Sequence, residues 1–232
     1  MTGLSTGLAA VSADVRFPRR FAAWALRGSL RGAILCIAIA MGFSTLAAYR
    51  FSTTTRVDDL VFGPGRTDAV DILISAVGVE RTAVLVYVLQ RSFDALVVAS
   101  AVTPLFLWIL GSSAMHAAAR LRGVRGHAYL PILVLFAYTA VVYQVPTSLA
   151  GLVFGAFGSG VGPQIASAVS LVMLVWLALV VYRGIELHYD VSGDRALGIF
   201  AIGAVVFYFV PLLLIVAALV AIVIAAAYLH YF

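Results

Sequence analysis

The 232-residue sequence contains no lysine and no asparagine. Both residues use AA-starting codons, so base composition accounts for the gap and no mechanism is drawn from it. Its consequence is that all 15 basic side chains, set against 10 acidic ones, are arginine. Charge of either sign is scarce, at 11% of residues, where a soluble domain carries roughly 25%. Cysteine is nearly absent too: Cys36 is alone, which excludes an intrachain disulfide, a zinc cluster or a redox Cys pair and says nothing of compartment. No charged residue falls at the middle of any long apolar run. That gap argues against a proton-driven carrier, which needs an acid, a base or a histidine in mid-membrane. Broken transporter helices can still bind ions through backbone carbonyls.

What is present is apolar. Hydrophobic residues make up 63% of the chain and the mean hydropathy is +1.09. One water-soluble core could not hide this excess, so lipid must cover much of it. The length suits a single bundle of spanning helices and leaves little for a separate soluble domain. The expected fold is an all-α integral membrane bundle of about five transmembrane helices with an N-terminal basic interfacial helix. The arginines flank hydrophobic segments, so they read as topology determinants and contacts to anionic lipid rather than to nucleic acid.

Residues 1–31 read as a cytoplasmic tail followed by that helix. Met1 to Val15 is small and polar, and Pro18 opens a helix. On a helical wheel Arg16, Arg20, Arg27 and Arg31 share one sector, and Phe17, Phe21 and Trp24 fill the next. This suits a helix in the interface, aromatics in the acyl boundary and guanidiniums on the headgroups. The alternative is simply the basic flank of the first span. Residues 32–232 form the membrane domain. Its spans are expected at about 33–49, 93–119, 128–153, 164–182 and 197–228. A signal peptide competes for the first of these, though its n-region would be unusually long.

Residues 50–92 carry Asp58, Asp59, Asp68, Asp71 and Glu80 against Arg50, Arg56, Arg66, Arg81 and Arg91. Glu80 and Arg81 divide two apolar stretches, so this segment is expected to be an extramembrane loop with a helix resting on the surface. Pro104 and Pro211 should kink their spans; Pro131 sits in a first turn and Pro163 just before the fourth span. The last apolar run would reach roughly 45–50 Å, more than the hydrocarbon core requires. Arginines cluster before the first span and after the second, at Arg120, Arg122 and Arg125, whereas residues 151–163 carry no charge. An N-terminus on the cytoplasmic side of a prokaryotic cell membrane satisfies this asymmetry.

Contacts to lipid or a partner are expected at Arg20, Arg27, Arg31, His116, Arg120, Arg122, Arg125, Glu186 and Asp190. His116 and Arg120 share a helical face. They form either a site for lipid phosphate or a partner carboxylate, or two cations at a helix C-terminus, favoured by the dipole and snorkelling to water. Glu186 and Asp190, four apart, could do acid/base work or hold a divalent cation, but also read as an ion-paired helix end with Arg183. Arg120, Arg122 and Arg125 are expected to dock on Glu186, Asp190 and Asp194. The glycines from Gly155 to Gly162 lack the Lys-Ser/Thr of a phosphate cradle and read as a flexible hairpin. Gly28 and Gly32 match the GxxxG spacing of a dimer face. Thr103, Gln144 and Ser167 could line a polar path in a permease. No catalytic residue, metal or cofactor is expected.

Two stretches resemble the Yip family of Rab-GTPase-interacting membrane proteins and its prokaryotic relatives. The first runs from Leu107-Trp108 through Gly111, His116 and Arg120 to the Gly-basic-Gly turn at Gly123–Gly126. An aromatic span with Tyr138 and Pro146 follows it. The second runs from Trp176 through Arg183-Gly184-Ile-Glu186-Leu-His188-Tyr-Asp190 to Ser192 and Arg195-Ala196. The family's Asp-Leu-Tyr-Gly-Pro motif has its nearest counterpart in Asp59-Leu60-Val61-Phe62-Gly63-Pro64, which here follows a hydrophobic run. The resemblance implies a five-span fold and a non-enzymatic role in membrane organisation, as a scaffold for lipids, for other membrane proteins or for further copies of itself. It implies no catalytic residues.

Overall fold

A computed structural model describes residues 17–54, 57–63, 68–154 and 161–231. Among these, every regular element is helical: α1 Pro18–Ala25, α2 Leu30–Thr54, α3 Val57–Phe62, α4 Asp68–Val77, α5 Val79–Phe106, a π-helical turn Leu107–Gly111, α6 Ser112–Leu121, α7 Leu130–Phe154, α8 Val161–Tyr189 and α9 Gly193–Tyr231. Among the described residues five stretches are long and apolar enough to cross a bilayer: Leu30–Thr53, Val97–Leu121, Leu130–Phe154, Val161–Tyr189 and Gly193–Val210. The all-α membrane bundle expected from composition is therefore the fold observed. Only 11% of the most apolar window of α8 is buried, and Leu171, Val172, Leu174 and Val175 stand exposed along it. Such a surface is stable against acyl chains and not against water.

The basic N-terminal segment is not one continuous interfacial helix. Proline at N1 starts α1 after an extended Phe17, but the helix ends at Ala25 and a tight turn, Arg27 N–H to Trp24 O and Gly28 N–H to Ala25 O, leads to α2. Ser29 caps α2, its hydroxyl accepting the Gly32 N–H at 3.1 Å. The turn breaks the wheel on which Arg20 shared a sector with Arg27 and Arg31; Arg16 lies outside the described residues. Phe21 is also corrected: it is 1% exposed and stacks edge-on against Trp176, centroids 5.1 Å apart, rather than facing lipid. Gly28 and Gly32 receive Tyr138 of α7. A Cβ on Gly28 would stand 2.7 Å from Tyr138 Cε2, and one on Gly32 would overlap the hydroxyl. The GxxxG spacing thus seats a ring from the same chain.

Between α4 and α5 the backbone turns by 117° at Gly78, whose φ of +88° is cheap for glycine alone. The apolar arms Val70–Val77 and Val79–Ser92 would reach about 12 and 21 Å, so neither alone crosses a core of about 30 Å. The expected surface segment is therefore two helices, and the second continues unbroken into the next span. At Pro104 the ring removes the N–H that would have bonded Ser100 O. Ser44 of α2 replaces it, its hydroxyl donating to Ser100 O at 2.8 Å. Beyond the proline the helix widens into the π turn, closing with Gly111 under the Phe136 ring.

Pro163 lies inside the first turn of α8 rather than before it, a position that needs no N–H donor. Helix α9 continues through Pro211 and at 39 residues measures about 58 Å. The glycine hairpin expected at Gly155–Gly160 lies outside the described residues, as does the tail before Phe17. The chain divides into two compact units. One comprises Met1–Ile34, Phe106–Thr139 and Val175–Phe232; the other comprises Leu35–Leu105 and Ala140–Leu174. The candidate site belongs wholly to the first.

Candidate functional site

Two helices of the first unit end in the same way. At the end of α6, Val124 N–H bonds Ala119 O and Gly123 N–H bonds Arg120 O, with Gly123 left-handed at φ +78°. This is a Schellman ending, sealed by the buried Val124. At the end of α8, Val191 N–H bonds Glu186 O across a left-handed Asp190, φ +49°. These endings bring the α6–α7 loop and the α8–α9 junction together.

His116 of α6 lies beneath the loop. Arg120 Nε donates to His116 Nε2 at 3.2 Å, so that ring nitrogen is an acceptor and the proton sits on Nδ1. Nδ1 in turn donates to the Tyr189 hydroxyl at 2.7 Å. His116 is therefore a neutral link between Arg120 and Tyr189, which corrects the picture of two cations snorkelling side by side. Tyr129, edge-on to His116, shares hydrogen bonds with the Ser112 hydroxyl at 2.7 Å and the Ser113 hydroxyl at 2.9 Å. His188 Nε2 donates to Ala128 O at 2.9 Å, and the His127 ring packs against both His188 and Tyr189. Tyr129, His127, Tyr189 and the two serines were not anticipated as part of this cluster. His116 and Tyr189 lie 73 positions apart, and no local pattern announces such a pair.

The expected docking of arginines on the acidic exit of α8 takes a different form. Glu186 is held by its own helix neighbour Arg183 at 2.7 Å. Among the described residues Arg120, Arg122 and Arg125 form no ion pair with Glu186, Asp190 or Asp194. Contact is made instead by Arg195, whose Nη2 donates to the Arg122 carbonyl at 2.7 Å. Arg122, Arg195, Leu121, Ser192 and Asp194 border an open cleft of about 580 Å³. Arg20, Arg27 and Arg31 are exposed, with Arg20 over the Phe17 ring at 5.1 Å.

Glu186 and Asp190 are not brought together as an acid/base pair: one is bonded to Arg183 and the other is exposed at the helix end. Among the described residues no three His, Cys, Asp or Glu side chains are placed to hold a metal ion. In the second unit, Thr103 donates to Ala99 O and Gln144 to Ser148 of the same helices, and Ser167 is exposed on α8. Among the described residues no hydrogen bond links these three into a path. No protein-family model matches the chain, and neither a curated protein nor a solved structure matches it. Nothing in these comparisons identifies a Yip-family relative.

Proposed function

We propose that this chain is a non-enzymatic membrane protein that organises its surroundings through contacts with anionic lipid and with other membrane proteins. The observation that carries this reading is the division of labour in the first unit. Its buried polar groups satisfy one another, and no buried side-chain N or O among the described residues lacks a partner. What the loop and the helix ends beside it offer outward is a set of exposed guanidiniums, Arg120, Arg122, Arg125 and Arg195, beside apolar helix faces. Cations bordering an apolar surface suit a headgroup layer above acyl chains. The resemblance of residues 107–126 and 176–196 to the Yip family points the same way, as does the arginine asymmetry, which suits an N-terminus in the cytoplasm.

Reconstitution tests the reading. Proteoliposomes should pass ions and small solutes no faster than empty vesicles, while protein extracted in mild detergent should retain anionic phospholipid above its share of the membrane. Protein-dependent flux would overturn the proposal in favour of a small permease or channel subunit.

A further inference from the structure

One arginine of the cleft is seated on a glycine, and the other is held by a backbone carbonyl. The Arg122 guanidinium lies flat on α9 at Gly198, where a Cβ would stand 2.9 Å from Nη2 and 3.2 Å from Cζ. Arg195 reaches back to the α6 ending: its Nη2 bonds the Arg122 carbonyl and lies 3.7 Å from where a Gly123 Cβ would be. Two like charges are thus positioned on one cleft by backbone, with no carboxylate ion-paired to either among the described residues. Ser192 borders the same space, and so does Asp194. Two guanidiniums and one carboxylate leave one net positive charge.

We infer that this cleft is a specific binding site for a singly charged phosphate group, above all the phosphodiester of an anionic lipid headgroup. The inference rests on the lipid-contact reading above and narrows it to one place and one ligand chemistry. Guanidinium forks match phosphate oxygens in pairs, and a serine hydroxyl adds a neutral donor. Asp194 disfavours a second negative charge, so a diester suits the cleft better than a dianionic monoester. The same chemistry would accept free inorganic phosphate, and the experiment separates the two sources.

The test uses the full chain purified in neutral detergent. Binding of phosphatidylglycerol, of phosphatidylcholine and of inorganic phosphate is followed by native mass spectrometry and by ligand-induced thermal shift. Phosphatidylglycerol should bind the wild type at least tenfold more tightly than phosphatidylcholine. Arg122→Gln and Arg195→Gln should each weaken it about tenfold. Gly198→Ala, which keeps every charge but displaces the Arg122 guanidinium, should weaken it severalfold. Arg122→Lys should do the same by losing the fork, and being an exposed change it remains informative if Gly198→Ala folds poorly. Arg125→Gln, outside the cleft, should change affinity less than twofold, and Asp194→Asn should tighten binding of the dianion. Saturation by inorganic phosphate alone would support the site and assign it to a soluble ligand. Equal losses at Arg122, Arg195 and Arg125, with Gly198→Ala and Arg122→Lys silent, would overturn the site yet leave general lipid attraction standing. A wild type without preference for either phosphate source would overturn both.

Discussion

Single residues carry much of the stability here because there is no water inside the bilayer to repair a lost hydrogen bond. Ser44 is the clearest case. Pro104 strips Ser100 O of its helical donor, and the Ser44 hydroxyl supplies another. Ser44→Ala should therefore destabilise the protein by about 1 kcal/mol, read as a lowered Tm in detergent. Thr103→Val should be near neutral, because the Thr103 hydroxyl donates to a carbonyl of its own helix that the backbone already serves. Asp190 works in the other direction. Its left-handed backbone, φ +49°, costs a non-glycine residue about 1 kcal/mol. Asp190→Gly should raise Tm by the part of that cost left after the added freedom of the unfolded chain is subtracted, about 0.5 kcal/mol. Tyr189→Phe should cost about 1–2 kcal/mol, since it leaves the His116 Nδ1–H without its acceptor. If thermal denaturation finds Tyr189→Phe silent, the Arg120–His116–Tyr189 chain contributes nothing to holding α6 against α8.

At the scale of elements, the spans were legible and their junctions were not. Apolar runs without central charge can only be helices in lipid, so α2, α7, α8 and α9 cover the runs that hydropathy marks, α8 extending seven residues past residue 182. Local pattern failed where a distant side chain intervenes. The arginine sector from Arg16 to Arg31 assumes one uninterrupted helix, and the chain breaks at residues 26–29 where Tyr138, over a hundred residues on, fills the space at Gly28. The i, i+4 pair of His116 and Arg120 was readable, but its meaning depended on Tyr189. Likewise the sequence places Arg122 in a basic loop, while its seat on Gly198 cannot be read from spacing. The glycine seat gives a prediction at this scale. Gly28→Ala with Gly32→Ala should destabilise the α1–α2 corner by about 1–3 kcal/mol through overpacking against the Tyr138 ring. Adding Tyr138→Ala should recover part of that loss in a thermal-denaturation cycle. A change in oligomeric state without loss of stability would instead return these glycines to a dimer face.

For the whole molecule, the question that decides the architecture is how many times the chain crosses. Among the described residues five helices qualify alone, and the bent pair Val70–Val77 and Val79–Ser92 raises the number to six if it is counted as one span. The 117° turn at Gly78, the short reach of Val70–Val77 and the unbroken run of the second arm into the span Val97–Leu121 argue that this pair is not a span of its own. Five crossings place Arg19 and Arg122 on the same side, with Gln164 opposite; a sixth would separate Arg19 from Arg122. On a Cys36→Ser background, Arg19→Cys, Arg122→Cys and Gln164→Cys each introduce one thiol at an exposed position. With a membrane-impermeant maleimide, Gln164→Cys should react in intact cells, and Arg19→Cys and Arg122→Cys only after permeabilisation. Labelling of Arg122→Cys from outside, with Arg19→Cys still protected, would contradict the five-span fold and move the phosphate-binding cleft to the opposite face of the membrane.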